Sequence, residues 1–113
     1  MAMMDWNKYR EQVMSTAGSL AEVHPELMKG FTALDSGAGK TKHLDAKTRE
    51  LIALAVAVTT RCDGCITVHT KAATDAGATR EELAEALGVA IALNAGAALV
   101  YSARVMDAFA GGR

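Results

Sequence analysis

Apolar residues recur at helical spacing along most of this chain, and no segment alternates apolar and polar positions over a strand's length. The pattern predicts an all-α fold. Asp5 to about Ala17 reads as a short amphipathic helix, and Pro25 stands where a first helical residue belongs, opening a second helix that runs to Leu34. Asp35-Ser36-Gly37-Ala38-Gly39-Lys40 has the composition of a loop. Asp45 can N-cap a helix that begins at Ala46 and continues through the consecutive apolar residues Leu51 to Val58. That run also suits a buried strand, but its alanine content favours helix, because alanine is the best helix former and is depleted in strands. Beyond Thr59-Thr60-Arg61 and a cysteine motif, Ile66 to Ala76 forms the next helix, closed by Gly77. Thr79-Arg80-Glu81-Glu82 has the Thr-x-x-Glu form of a capping box. Ala86 to Ala110 supplies the last helical material, with a break expected near Asn94-Ala95-Gly96. The total is about six helices packed as one compact bundle, a single domain spanning residues 1–113.

Two of these segments, Leu51 to Val58 and Ala86 to Val100, are apolar nearly all round and must be covered. A small domain has little interior in which to bury both, so self-association is the simpler solution and a homo-oligomer is expected. With 113 residues, half of them apolar, the chain has enough material for a core, which excludes disorder. The net charge is −1 with acids and bases interspersed, so nothing resembles a nucleic-acid-binding surface. Ala86 to Tyr101 is shorter than a bilayer requires, carries Asn94 and is interrupted by Gly88 and Gly96. It reads as a buried helix, with no membrane partner. Met1 to Arg10 has charges where a secretory signal needs an apolar core, which predicts no export and a cytoplasmic location.

The chemistry lies in Cys62-Asp63-Gly64-Cys65, the only two cysteines of the chain. Three residues apart, they close too small a loop to stabilise a fold, so the pair points to catalysis or metal binding. Both sit at a predicted helix start, where unpaired amides and the dipole favour a thiolate. His69 lies four residues after Cys65, on the same helical face, where an imidazole can take the thiol proton or hold the thiolate as an ion pair. Glu50 is the only acid between Lys47 and Thr60. It is either a solvated first-turn glutamate favouring the helix dipole, which the residues alone prefer, or the group that orients His69. Zinc is a rival reading, with Cys62, Cys65 and His69 as ligands and Glu50, His43 or water as the fourth; the missing second Cys or His pair weakens it. His24 and His43 fall in polar turns and read as surface residues. Trp6, Tyr9, Phe31, Tyr101 and Phe109 read as core or interface anchors.

The sequence Glu50, then Cys62-x-x-Cys65, then His69, resembles the signature of the AhpD-like alkylhydroperoxidases within the carboxymuconolactone decarboxylase family. The flanking segments Asp45 to Ala55 and Ala76 to Ala86 are similar to that family's core, and the resemblance covers about Pro25 to Phe109. It implies an AhpD-like helical fold assembled as a trimer or hexamer, and reduction of a hydroperoxide substrate without metal, haem or flavin cofactor. Cys65 is then the peroxidatic thiol, Cys62 the resolving thiol, His69 the proton relay and Glu50 the general base. It further implies an external dithiol reductant, a lipoyl-bearing or thioredoxin-like protein, or service as the reductant of a peroxiredoxin. The family's decarboxylases use no cysteine pair, so a cofactor-free lactone decarboxylase is the alternative the motif disfavours.

Overall fold

A computed structural model describes residues 2–112, which form five helices and no strand. They are α1 (Trp6–Val23), α2 (Pro25–Ala38), α3 (Ala46–Thr60), α4 (Asp63–Asp75) and α5 (Arg80–Gly111). The signals at Asp45, Pro25, Thr79 and Gly77 work as the sequence predicts, while Asp5 caps α1 from outside and is not its first residue. Asp5 accepts from the Lys8 amide at 3.0 Å, Asp45 accepts from the Thr48 amide at 2.7 Å, and Pro25 opens α2. Thr79 and Glu82 form a reciprocal capping box at α5, with bonds of 3.1 and 2.9 Å. Gly77 takes φ +88°, so the chain leaves α4 through a left-handed residue that only glycine adopts without strain.

Helix α3 is the hub, packing on α4 along one side and α5 along another, while α1 joins α4 to α2. Its interior is small: Leu54, Ala57, Ala73 and Ala90 are the buried apolar residues, and alanine at three of these positions lets the helices approach closely. Buried Thr67 donates from Oγ1 to the Trp6 carbonyl at 2.8 Å and ties the start of α1 to α4.

The last helix corrects the expected break and the count of six. Asn94-Ala95-Gly96 lies inside one continuous 32-residue helix. The Asn94 amide group donates there to the Ala90 carbonyl one turn back at 2.7 Å and to Thr59 Oγ1 at 2.9 Å, so the helix carries this residue without a break. Helix α1 likewise runs past Ala17 to Val23, and α2 absorbs Asp35 to Ala38, leaving a shorter loop. Continuous, α5 is long and apolar enough to cross a membrane by length and composition, contrary to the shorter segment read from the sequence.

The expectation of a compact bundle with α5 buried is also corrected. The radius of gyration is 18.3 Å, against about 13 Å for a compact chain of this length. Helix α5 runs parallel to α3, with Lys47 bonded to Glu82 at one end and Thr59 to Asn94 at the other. Beyond Asn94 it projects about 25 Å past the end of α3. Leu99, Val100, Tyr101, Val105, Met106 and Phe109 on that projection are all exposed, as is Phe31 on α2, so these apolar anchors lie outside the chain's own core.

The links at the base of α5 and at the N-cap of α3 are expected to add to acid sensitivity. The Lys47 ammonium and the Thr79 amide hold the Glu82 carboxyl below its ordinary range, and the bonds from Thr48 do the same for Asp45. Groups lowered in the folded state stabilise it above their ordinary pKa and lose that contribution as pH falls through the folded value. Thermal midpoints are therefore expected to drop below about pH 4, and Glu82→Gln should flatten that decline. A variant with the wild-type acid limb would assign the effect elsewhere. Thr79→Ala should cost about 1 kcal/mol at neutral pH, read by denaturant unfolding.

Candidate active site

The turn between α3 and α4 builds the site. Arg61 ends α3 in the left-handed region at φ 55°, where its amide bonds to the Val58 carbonyl at 3.4 Å and the Cys62 amide to the Ala57 carbonyl at 3.1 Å. A non-glycine residue in that region costs on the order of 1 kcal/mol, and here it reverses the chain within two residues. Cys62 therefore closes one helix and starts the next: its Sγ, at the N-cap of α4, accepts from the Cys65 amide at 3.1 Å. Cys62 and Cys65 are joined as a disulfide.

From that turn, α3 and α4 run back antiparallel. Glu50 lies seven residues before Ala57 and His69 seven residues after Cys62, so each stands two helical turns from the bonded Ala57–Cys62 pair, about 10 Å along its helix. The equal arms bring them together, with His69 Nδ1 2.7 Å from Glu50 Oε2. Their side chains are 33% and 24% exposed, which shields the bond from bulk water while leaving the ring reachable. A carboxylate at this position accepts from the ring, and the tautomer that donates from Nδ1 leaves Nε2 as the nitrogen able to take a proton.

All four sequence-predicted residues thus fall along one α3/α4 seam: the disulfide at the turn, His69 one helical turn beyond Cys65, and Glu50 behind His69. Glu50 is not the solvated glutamate that its residue type alone suggests. The signal that places it is the arm length, which becomes readable only once the turn at Arg61 is fixed. His24 and His43 stay apart from the site and exposed. His24 instead N-caps α2, accepting at Nδ1 from the Leu27 amide at 3.4 Å, a role the sequence did not suggest. A cleft of about 510 Å³, bounded by Trp6, Arg10, Ile66, Thr70 and Lys71, opens on the side of α4 that faces α1, away from Glu50.

The sequence profile of the carboxymuconolactone decarboxylase family matches residues 25–108, from the first residue of α2 almost to the end of α5. The chain belongs to the carboxymuconolactone decarboxylase family. Among solved structures of that shape is a carboxymuconolactone decarboxylase family protein from Legionella pneumophila, 39% identical with a TM-score of 0.73, covering 94% of this chain and 95% of that one. A protein from Methanobacterium thermoautotrophicum matches at 32% identity and a TM-score of 0.70, over 76% of this chain and 97% of that one. An uncharacterized protein of Haemophilus influenzae is 49% identical over 93% of both chains. Uncharacterized protein 4 in the cox locus of Paracoccus denitrificans is 36% identical over 79% of this chain and 80% of its own. The family includes decarboxylases and alkylhydroperoxidase-like enzymes, and the Cys62–Cys65 pair is compatible with membership of it.

Proposed function

We propose that this family member is a thiol-dependent hydroperoxide reductase, and the observation that carries the reading is the Glu50–His69 bond set one helical turn from a CxxC disulfide. In the reduced enzyme, the Cys65 thiol gives its proton to His69 Nε2, while Glu50 at Nδ1 holds the ring and stabilises the imidazolium. The Cys65 thiolate attacks the terminal peroxide oxygen. The O–O bond breaks, the alkoxide takes the proton from His69 and leaves as alcohol, and Cys65 becomes a sulfenic acid. Cys62 sulfur then attacks Cys65 sulfur, hydroxide leaves as water with the Cys62 proton, and the disulfide forms.

An external dithiol completes the cycle through a mixed disulfide, and this step supplies the electrons. When the bond opens, the Cys65 amide that points at Cys62 Sγ favours Cys62 as the leaving thiolate. The reductant is accordingly placed on Cys65 first. Such cycling needs a reducing compartment, which supports a cytoplasmic location. The chain works as a homo-oligomer, a reading supported by the open shape and the exposed apolar residues of α5.

The test is a peroxide-consumption assay with cumene or tert-butyl hydroperoxide and a panel of dithiol donors: dihydrolipoamide, a thioredoxin and dithiothreitol. Turnover that depends on a dithiol supports the proposal. Conversion of carboxymuconolactone without any thiol dependence would replace it with decarboxylation.

A further inference from the structure

Helix α5 carries an uncharged stretch from Ala86 to Ala103, flanked by Glu85 and Arg104. Within it Ala86, Val89, Leu93, Gly96, Val100 and Ala103 recur at alternating spacings of three and four, a heptad seam on one face. This seam borders the groove formed with Ile52, Ala55 and Val56 of α3. It is open: Val89, Leu93 and Val100 are 57%, 66% and 74% exposed.

The seam is also a palindrome. Turned end for end about the midpoint between Asn94 and Ala95, Ala86 meets Ala103, Val89 meets Val100, and Leu93 meets the gap left by Gly96. We propose that α5 packs antiparallel against α5 of a second copy across a two-fold axis at Asn94–Ala95. The projecting half of each helix then lies along the α3/α5 groove of the other chain and no longer stands in solvent.

Three further observations favour a second copy as the occupant. The accessible surface is 8920 Å², about 3,000 Å² more than a monomer of this mass exposes, and a stable interface needs only about 800 Å² from each partner. The antiparallel register also brings Arg104 level with Glu85 of the second copy, and neither makes an ion pair within the chain among the described residues. Beyond them Glu82 comes level with Asp107 of the second copy; that layer ends the apolar seam, and Lys47 already neutralises Glu82. Antiparallel dipoles are favourable as well. A two-fold contact allows a dimer or a hexamer but not a simple cyclic trimer.

This interface rests on the homo-oligomer reading and specifies it, and the tests separate the two. In a Cys62→Ser/Cys65→Ser background, Val89→Cys and Val100→Cys chains should form an intermolecular disulfide when mixed and refolded together, and neither should do so alone, because Val89 lies about 16 Å from its own symmetry mate. Leu93→Ala and Gly96→Leu should each weaken association at least tenfold by analytical ultracentrifugation, and the double variant should regain most of it, since the large and small residues have only changed places. Native mass spectrometry should give an even number of chains. An oligomeric wild type with no mixed cross-link, or a trimer, overturns this interface and leaves self-association standing. A monomeric wild type overturns both. A monomer that floats with phosphatidylcholine or phosphatidylglycerol vesicles assigns α5 to a membrane instead and overturns the proposal.

Discussion

Cys65→Ser is expected to abolish peroxide consumption, whereas Cys62→Ser should consume peroxide once and stop with a sulfenic acid on Cys65. The two local environments pull in different directions. Cys62 is the N-cap of α4 and its sulfur receives the Cys65 amide, the position from which the first cysteine of a CxxC usually attacks. Cys65 is the cysteine with an imidazole four residues on, and that imidazole is backed by Glu50. Helix-end stabilisation makes Cys62 a good leaving thiolate; a general base and proton donor are what the O–O cleavage step needs, because an alkoxide must be protonated as it departs. Trapping with dimedone and mass spectrometry reads the sulfenic acid directly, and stopped-flow consumption of peroxide reads the first turnover. If Cys65→Ser keeps the burst and Cys62→Ser loses it, the thioredoxin-like order holds and the roles are reversed. Should neither variant nor wild type react with peroxide while wild type exchanges readily with protein disulfides, the substrate is a disulfide.

The helix ends and the redox pair were legible because each depends on a few neighbouring residues. Asp45, Pro25, Gly77 and the Thr79–Glu82 box each act within a single turn, and the structure has them all in place. Asn94-Ala95-Gly96 misled because its breaking signals are local and the group that cancels them is not. Asn94 finds Thr59 across 35 positions of sequence, and no proline stands there to make the break obligatory. Burial misled in a related way. Apolarity shows that a helix must be covered but not by whose residues, so the sequence reads α5 as a buried helix and self-association as its simpler cover, and the chain's own fold leaves it exposed. Glu50 lies between these cases: its residue type is silent, yet the hairpin geometry that seats it follows from the turn at Arg61 and from counting.

His69→Ala should lower kcat/KM for peroxide by about 10²- to 10⁴-fold, the usual worth of a positioned acid–base group. Glu50→Gln should lower it less, by roughly 10- to 100-fold, because glutamine can still accept from Nδ1 but no longer offsets the charge of the imidazolium. In the proposed mechanism Glu50 acts through the ring to which it is bonded, as a positioning residue, in place of the general-base role that the family resemblance implies. Residues acting as one unit are not additive, so His69→Ala/Glu50→Gln should be no slower than His69→Ala alone. That equality separates a relay from two independent defects. The rate of Cys65 alkylation in the reduced Cys62→Ser background supplies a second readout, and it should fall with either substitution. His24→Ala and His43→Ala serve as controls: both residues are exposed and apart from the seam, so turnover should stay within about twofold even where His24→Ala weakens the cap of α2. If Glu50→Gln leaves turnover and alkylation untouched while His69→Ala removes both, the 2.7 Å bond is structural and His69 works alone. If His43→Ala abolishes activity or releases a bound metal, the chemistry lies outside the α3/α4 seam and the zinc reading replaces the relay.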